Sequence, residues 1–545
     1  MKFSYQLIPQ LSPLAWVARV LPDTSTISVS HGRFVETHPH FFVEGAWAGD
    51  FEAGRLHDAD TVFGSGGDLA EACATFVSCT ATTDFLYHGD DSGNFVIANS
   101  LPLLLAVLGD ALQPGCADYS RINHSILGGI REYRSPIPTL KGHVSRVMHS
   151  NVQFGPDGIA LVEKPLPPRF RQFGEYRDFM RNRIEALFAN ARHPARQKPM
   201  RIFSTQSKGY DSTAVNALAA PFRIDQVFTS PQSKERRSFY LGDKASLPSD
   251  DGAPVGEALG FACTPIDRLG FRENLVNEHL YWAGLDNNQD LNLHGIQSYI
   301  SQPTLLLTGN LGEIWYTSEA IGPARLPTVN DELIRWDQAG HGLSEVRLAA
   351  GMVQVAAPFI GARNRRDILD ITKDAAMDEF RLGGGYDRPI ARRIAEEAGV
   401  PRGMFGQTKL ASIVHMPTPN VPVTPALRAE FFRHLRSNRL LGRVSIGLLP
   451  LAQRLNNWIY WNKPSRYFSA RRRHPLLWAI GYGWAKLFGR PLHIRMLWQQ
   501  LDSYLYAFCV NKARNDYAGQ LAAPHTAGDE ADARPIPPPV SGVQE

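Results

Sequence analysis

The segment with the clearest chemical potential is residues 204–212, whose sequence is STQSKGYDS. It follows a short apolar run at residues 201–205 that predicts a strand. It precedes a run of small residues at 212–220 that predicts a helix. A loop that leads from a strand into a helix is suited to phosphate, because backbone N–H groups point outward there and the helix dipole favours negative charge.

The side chains of this loop are also of the kinds that phosphate binding requires. Gly209 lets the backbone approach a ligand closely, and the Ser207 and Ser212 hydroxyls can donate to phosphate oxygens. Asp211 is a hard oxygen ligand suited to Mg²⁺, and Lys208 adds positive charge. The alternative is an ordinary strand-to-helix turn in which Asp or Ser caps the helix.

Three later segments carry further acids and a lysine. They are LTGNLGEIW at residues 307–315, HGLSEVR at residues 341–347 and FGQTK at residues 405–409. Their charged candidates for chemistry are Glu313, Glu345 and Lys409. Taken singly, Glu313 could belong to a turn after a strand, Glu345 is as well explained as a solvated helix glutamate, and Lys409 is better explained as a surface lysine.

Taken together and in this order, the segments resemble the signatures of the asparagine synthetase superfamily, which includes asparagine synthetases, β-lactam synthetases and lasso-peptide cyclases. The stretch SKGYDSTAVNALA is similar to the family's pyrophosphate loop, SGGxDS, and its apolar helix, with Lys208 where the family usually has Gly. The resemblance implies that the loop holds the pyrophosphate of ATP and that Asp211 binds Mg²⁺. The implied nucleotide site comprises Ser207, Lys208, Gly209, Asp211, Ser212, Val227 and Gly309.

The second segment is similar to the family's second signature, LTGDGGDE or LSGEGSDE. The resemblance implies that Glu313 takes the place of the acid that binds the second Mg²⁺. Asn310 stands at the position of the Asp, Glu or Tyr that helps to deprotonate the amine in some relatives. Because Asn cannot act as a base, Asn310 is a catalytic position by resemblance only, and amine activation stays open.

The other two segments supply two more catalytic residues by resemblance. Glu345 matches a glutamate that partners the second-signature Tyr in β-lactam synthetases and could orient or deprotonate an amine. Lys409 matches the catalytic lysine that follows a basic helix in the family. It is expected to stabilise charge as the acyl-adenylate forms and as the tetrahedral intermediate collapses.

The elements that must position these residues fall into four predicted regions. Residues 1–166 hold short apolar runs separated by turn signals such as GDDSG at residues 89–93, which predict antiparallel strands. Residues 172–417 alternate strands, Gly-bearing loops and helices, as a doubly wound parallel sheet does. Residues 421–517 are predicted to be a basic helical extension, and residues 519–545 a disordered tail.

The resemblance implies a more specific fold class for these regions. It implies an α+β glutaminase-like sandwich of the Ntn type, then an α/β pyrophosphate-loop synthetase domain similar to the adenine nucleotide α-hydrolases, then the helical extension. In glutamine-hydrolysing relatives the mature chain begins with a nucleophilic Cys, whereas this sequence begins with Met1 and its first cysteine is Cys73. We therefore expect a degenerate glutaminase-like domain that does not hydrolyse glutamine.

The implied reaction is ATP-dependent formation of an amide bond. ATP and Mg²⁺ would activate a small-molecule or peptide carboxylate as an acyl-adenylate with release of pyrophosphate, and a substrate amine or free ammonia would then displace AMP. The alternatives are asparagine synthesis with external ammonia, a non-catalytic scaffold that keeps the fold, and a pyrophosphate-loop enzyme of the tRNA-thiolation type. The last would require reactive or paired cysteines, which the sequence lacks.

The helical extension carries many basic and aromatic residues. An apolar run at residues 476–488 follows Arg471, Arg472 and Arg473. One hypothesis is contact with an anionic membrane surface or an acidic partner protein. The other, which we favour, is a helical subdomain packed on the core with solvated basic faces.

The overall composition argues against several classes of protein. Of 545 residues, 43% are hydrophobic and 20% are charged, and the net charge of +4 is too small to indicate a nucleic-acid partner. The five cysteines form no CxxC pair, which indicates a reducing compartment. No run approaches the roughly 20 apolar residues that cross a bilayer, so a cytoplasmic location is expected. The oligomeric state, including a homodimer, stays open.

Overall fold

The structure is a computed structural model. It describes residues 1–20, 25–70, 73–128, 130, 133–232, 249–284, 289–315, 340–383, 386–408, 410, 413–414, 419–461, 487 and 500–523. Lys409, most of the apolar run at residues 476–488 and residues 524–545 lie outside the described residues. The described part of the chain is a mixed α/β protein with several sheets.

The first part of the chain is built mainly from strands. The strands are β1 (Lys2–Leu7), β2 (Trp16–Val20), β3 (Thr26–His31), β4 (Glu36–Thr37), β5 (Phe41–Val43), β6 (Ala46–Trp47), β7 (Val62–Phe63), β8 (Gly66–Ala70), β9 (Cys73–Val77), β10 (Leu86–Asp91), β11 (Asn94–Ala98), β12 (Pro136–Pro138), β13 (His143–Val147), β14 (Asn151–Gly155) and β15 (Gly158–Val162). One sheet has the order β1-β3-β2-β11-β10-β13-β12, and a second has the order β15-β14-β9-β8-β5-β4. Strands β6 and β7 pair separately.

The two larger sheets share one apolar core. Trp16 of the first sheet packs edge-on against Phe42 of the second, with ring centroids 4.9 Å apart, and stacks on Phe76. The strand pairs are antiparallel as predicted, except that β1 and β3 run parallel. The predicted turn at residues 89–93 is the β10–β11 hairpin, where Ser92 and Gly93 both have positive φ angles, 55° and 90°.

The second part contains a five-stranded parallel sheet. Its strands are β16 (Arg201–Gln206), β17 (Gln226–Thr229), β18 (Cys263–Pro265), β19 (Thr304–Thr308) and β20 (Met352–Ala356). The order is β18-β17-β16-β19-β20, and every neighbouring pair is parallel. Along the chain, β17 and β18 are added on one side of β16, and β19 and β20 are then added on its other side, as predicted for a doubly wound sheet. The carboxyl ends of these two central strands form the topological switch point, where such sheets bind ligands.

The described helices are α1 (Leu101–Val107), α2 (Tyr119–His124), α3 (Phe173–Ala191), α4 (Tyr210–Ala219), α5 (Ala253–Ala258), α6 (Phe271–Asn274), α7 (Glu278–Gly284), α8 (Val346–Ala350), α9 (Arg365–Lys373), α10 (Pro389–Glu397), α11 (Pro425–Ser437), α12 (Arg443–Gly447), α13 (Leu449–Trp461) and α14 (Gln500–Ala522). Short 3₁₀ turns lie at Leu56–Asp58, Ser125–Gly128, Gln289–Tyr299, Gly312–Trp315, His341–Leu343, Ala357–Phe359, Ala362–Asn364, Ala375–Phe380 and Arg402–Met404. None of the helices in the described ranges is both long and apolar enough to cross a membrane.

The last described helix, α14, joins the two parts of the chain. It packs against α1 and α2 of the first part and against α7 of the second. The Asn511 side chain accepts a hydrogen bond from the Leu112 N–H at 2.8 Å and donates one to the Leu112 carbonyl at 2.9 Å. His279 of α7 lies 2.7 Å from the Asp516 carboxylate. The helix runs to Ala522, past the predicted boundary at residue 517.

Candidate functional site

The loop after β16 concentrates hydrogen-bonding groups at the start of α4. The Ser207 and Ser212 hydroxyl oxygens lie 2.9 Å apart. The Gly209 N–H donates to the Ser207 hydroxyl at 3.1 Å, and the Ser207 N–H donates to the Ser212 hydroxyl at 3.1 Å. Two backbone donors and two hydroxyls thus converge at the N-terminus of a ten-residue helix. This is the arrangement that an anion such as phosphate needs.

The loop after β19 packs directly on this helix start. A methyl group on Gly309 would lie 2.7 Å from the Ser212 nitrogen, and one on Gly312 would overlap the Asp211 carboxylate. Only glycine therefore fits at these two positions without movement of its neighbours. The first two sequence motifs, about 100 residues apart, meet at Asp211.

These loops border a cleft at the switch point of the parallel sheet. One part of its lining is polar, and its members are Thr205, Gln206, Ser207, Gly209, Asp211, Ser212, Asp250, Asp290, Asn292, Thr308, Gly309 and Asn310. The other part is mainly apolar and aromatic, and its members are Phe228, Ser230, Ile266, Leu293, Tyr386, Leu410 and Ile413. A cleft lined by both polar and apolar residues is suited to a ligand that joins phosphate to a planar base.

Most of the implied nucleotide-binding residues line this cleft, and two do not. Val227 is buried in β17, and its neighbours Phe228 and Ser230 reach the cleft instead, because side chains alternate along a strand. Lys208 is also absent from the lining. Its backbone N–H donates to the Asp250 carboxylate at 3.0 Å, and its ammonium lies 3.4 Å from the Ser249 hydroxyl.

Glu313 lies beside the cleft but does not line it. It follows Gly312 in the 3₁₀ turn, and its charge acts on the buried guanidinium of Arg365. Burial lowers the pKa of Arg365 to about 10, and Glu313 opposes that shift. In the described ranges, no three His, Cys, Asp or Glu side chains are grouped as they would be in an all-protein metal site.

The sequence motifs did not reveal the buried cation in this site. Arg388, immediately before α10, is 1% exposed and forms an ion pair with Asp211. Burial lowers the pKa of Arg388 to about 9, so the guanidinium is still charged at neutral pH. Its only sequence signal was its place in the stretch YDRP, next to a basic helix.

Lys409 lies outside the described residues, but the chain on either side of it reaches the site. The Gly406 N–H donates to the Lys208 carbonyl at 2.8 Å. Gly406 has a φ of 63° and packs against the Tyr210 ring, where no larger residue fits. Leu410 lines the cleft.

No model of a known protein family matches this chain. No curated protein matches it either.

Glu345, a catalytic residue by resemblance, is not among the residues that line the cleft. Its side chain is 2% exposed and accepts a hydrogen bond from the Ser100 hydroxyl at 2.8 Å, at the N-terminus of α1. Burial, with a smaller contribution from Asp84, raises its pKa from 4.5 to about 8, although Ser100 and Arg347 act in the opposite direction. The local sequence could not show this, because Ser100 is 245 residues away.

A buried ion cluster lies next to Glu345. Arg347 of α8 donates to both Glu44 oxygens, at 3.0 and 3.1 Å, and also pairs with Asp84. All three side chains are 2% exposed or less. Ser65 donates to Glu44 at 2.9 Å. The cluster joins the first part of the chain, which supplies both acids, to the second part, which supplies the arginine.

Replacing Glu345 with glutamine is expected to change how stability depends on pH. A raised pKa in the folded state means that the folded protein holds a proton which the unfolded chain releases, so wild-type stability falls as pH rises from about 4.5 to about 8. The neutral amide of the E345Q variant would mimic the protonated acid. The difference in unfolding free energy, variant minus wild type, should therefore rise by at least about 2 kcal/mol between pH 5 and pH 9, at about 1.4 kcal/mol for each pKa unit.

Urea unfolding of both proteins at four pH values measures this difference. The variant Glu185→Gln, at a surface position of α3, serves as a control because it should follow the wild type at every pH. A constant difference between E345Q and wild type would show that Glu345 is ionised in the folded protein.

Proposed function

We propose that this chain is an ATP-dependent enzyme that forms an amide bond through an acyl-adenylate and releases AMP and pyrophosphate. The observation that supports this most strongly is the packing of Gly309 and Gly312 on Asp211 and Ser212, at the switch point of the sheet. Two loops that resemble two signatures of one enzyme family thereby border one cleft. The resemblance also extends the proposal to the finer fold class, a glutaminase-like sandwich followed by a pyrophosphate-loop domain.

The residues of the cleft have distinct roles in this proposal. Three groups would bind phosphate: the Ser207 hydroxyl, the Ser212 hydroxyl and the Gly209 N–H. They would break the hydrogen bonds among themselves and donate to phosphate oxygens instead. The base would lie against apolar lining residues such as Phe228 and Ile266. The reacting α-phosphate would then lie between the base and the terminal phosphates, close to the carboxylate substrate.

The charges of the cleft fit a magnesium-bound nucleotide. Three carboxylates line it, those of Asp211, Asp250 and Asp290, and no Lys, Arg or His is among its described lining residues. A bare polyphosphate would be repelled, so its charge must be offset. Mg²⁺ is usually bound by one or two carboxylates together with substrate phosphates, and Asp211 would hold it from the lining. Glu313, the second ligand that the resemblance implies, lies outside that lining. When bound, it would supply positive charge at the phosphates.

The amine would come from the substrate or from free ammonia. Asn310 lines the cleft, and its amide nitrogen is buried and has no hydrogen-bond partner in the described part of the protein. An amide can orient an amine by accepting a hydrogen bond, but it cannot remove a proton. Our proposal is the β-lactam synthetase and cyclase type, whose amine is already held on the substrate, with ammonia-dependent asparagine synthesis as the alternative.

Magnesium-dependent exchange of labelled pyrophosphate into ATP tests the proposal, because the exchange reports acyl-adenylate formation whatever amine follows. Wild-type protein should catalyse exchange with at least one member of a panel of amino acids, peptides and other carboxylates that includes aspartate. The variant Asp211→Asn should lose about 100-fold or more of the exchange, as expected when one charged group is removed from the site. Asp157→Asn, on an exposed turn, should match the wild type.

A scaffold without catalysis is the second candidate function, and one observation favours it. Arg388 already neutralises Asp211 inside the site and would compete with Mg²⁺. Titration calorimetry with ATP and Mg²⁺ separates the two candidates. Absence of nucleotide binding at millimolar ATP would leave the scaffold, whereas binding of ATP that requires Mg²⁺ would support the enzyme.

A further inference from the structure

The surface of α12 and α13 carries an exposed aliphatic stripe. Its members are Val444, Leu448, Leu451 and Leu455, and their side chains are 77%, 45%, 63% and 42% exposed. Their spacing of four, three and four residues places them on one face of nearly continuous helix. An exposed apolar patch of this kind is typical of a site that contacts a membrane or another protein.

The opposite side of the same helices is fixed to the body of the protein. Leu449 and Ala452 are buried, at 2% and 3% exposure. The Gln453 amide donates to the Pro419 carbonyl at 2.8 Å. The stripe is therefore presented outward by an anchored element.

The charged residues near the stripe in the sequence have one sign. The sequence contains no Asp or Glu between Glu430 and Asp502. Among the described residues of this interval, exposed arginines lie at Arg433, Arg436, Arg439, Arg443 and Arg454. An aliphatic stripe flanked by arginines, without acids, complements an anionic surface that has an apolar interior.

We propose that α12 and α13 bind the surface of an anionic lipid membrane, with the stripe at the level of the acyl chains and the arginines at the headgroups. A nucleic acid would satisfy the arginines but leave the four aliphatic side chains in water, so lipid fits the two features together. The membrane surface would hold the enzyme without a spanning helix. This proposal does not depend on the proposed enzymatic activity.

Flotation of the full-length protein with vesicles tests the proposal. Wild-type protein should float with vesicles of phosphatidylcholine mixed with phosphatidylglycerol and should stay in solution with phosphatidylcholine alone. Binding should weaken in about 0.5 M salt because charge attraction is screened. The double variant Leu451→Ser with Leu455→Ser should partition at least about tenfold less, because two apolar side chains no longer leave water.

A matched control distinguishes the stripe from exposed leucines in general. Leu161 and Leu166, 59% and 65% exposed in other parts of the surface, should tolerate the same change to serine without loss of flotation. Equal flotation of wild type and the stripe variant would overturn the proposal. So would binding to single-stranded nucleic acid without flotation, or a dimer in solution that only the stripe variant loses.

Discussion

Replacing Gly312 with alanine is expected to lower pyrophosphate exchange about 100-fold or more while the protein stays folded. The added methyl group would overlap the Asp211 carboxylate. Gly312 has no positive φ angle, so alanine is compatible with its backbone and the clash is with the side chain of Asp211. The carboxylate must rotate away from Arg388 and from the phosphate position of the proposed function, and a misplacement of about 1 Å at a reacting centre can cost about 100-fold.

The control for this experiment is Gly403→Ala. Gly403 also has no positive φ angle, and a methyl group there would meet nothing within 4 Å. Exchange rates and melting temperatures of the two variants and the wild type should be compared. Gly403→Ala should keep both values, and Gly312→Ala should lose exchange with a smaller loss of stability. Wild-type exchange by Gly312→Ala would mean that the position of Asp211 does not matter to the reaction.

Replacing Arg347 with methionine is expected to destabilise the folded protein by about 3–5 kcal/mol. The arginine is the shared partner of Glu44 and Asp84, and all three side chains are buried. Methionine would fill much of the space but would leave two carboxylates in a low-dielectric interior without a counter-charge. These acids belong to the first part of the chain, so their repulsion should loosen its attachment to the parallel sheet.

Urea unfolding at pH 7, followed by circular dichroism, measures the loss. Arg121→Met removes a surface pair with Asp118, whose side chains are 64% and 51% exposed, and should change stability by no more than about 0.5 kcal/mol. Neutralising both acids in the Arg347→Met background, with Glu44→Gln and Asp84→Asn, should recover much of the loss. A loss below about 1 kcal/mol in the single variant would show that water reaches the cluster.

The sequence predicted the local features of the site well. The strand before residues 207–209 is an apolar run that ends in a Gly- and Ser-bearing turn, and β16 and α4 follow that pattern closely. The glycines at 309 and 312 are conspicuous in sequence, and their packing on Asp211 explains why side chains are excluded there. Such features depend on neighbours in the chain or on the absence of a side chain.

The features that the sequence did not predict depend on distant partners. Glu345 has the surroundings of a solvated helix residue in sequence, yet Ser100 and Arg347 place it in a buried interface. Arg388 occurs in a basic stretch of ordinary appearance, and only the fold brings it to Asp211. When a side chain is buried by, or paired with, a residue hundreds of positions away, the local sequence shows no periodic pattern that would reveal it.

The docking of α14 has a consequence for how the protein is made. Leu112 and Asn511 are hydrogen-bonded although 399 residues separate them. A ribosome that has just released α1 still has most of the message to translate before α14 can cover that helix. The first part of the chain, which is synthesised early, must therefore expose an apolar face until α14 is made. Chaperones recognise exposed apolar surface of this kind. Final assembly is thus a late event in synthesis, set by the arrival of the last described helix.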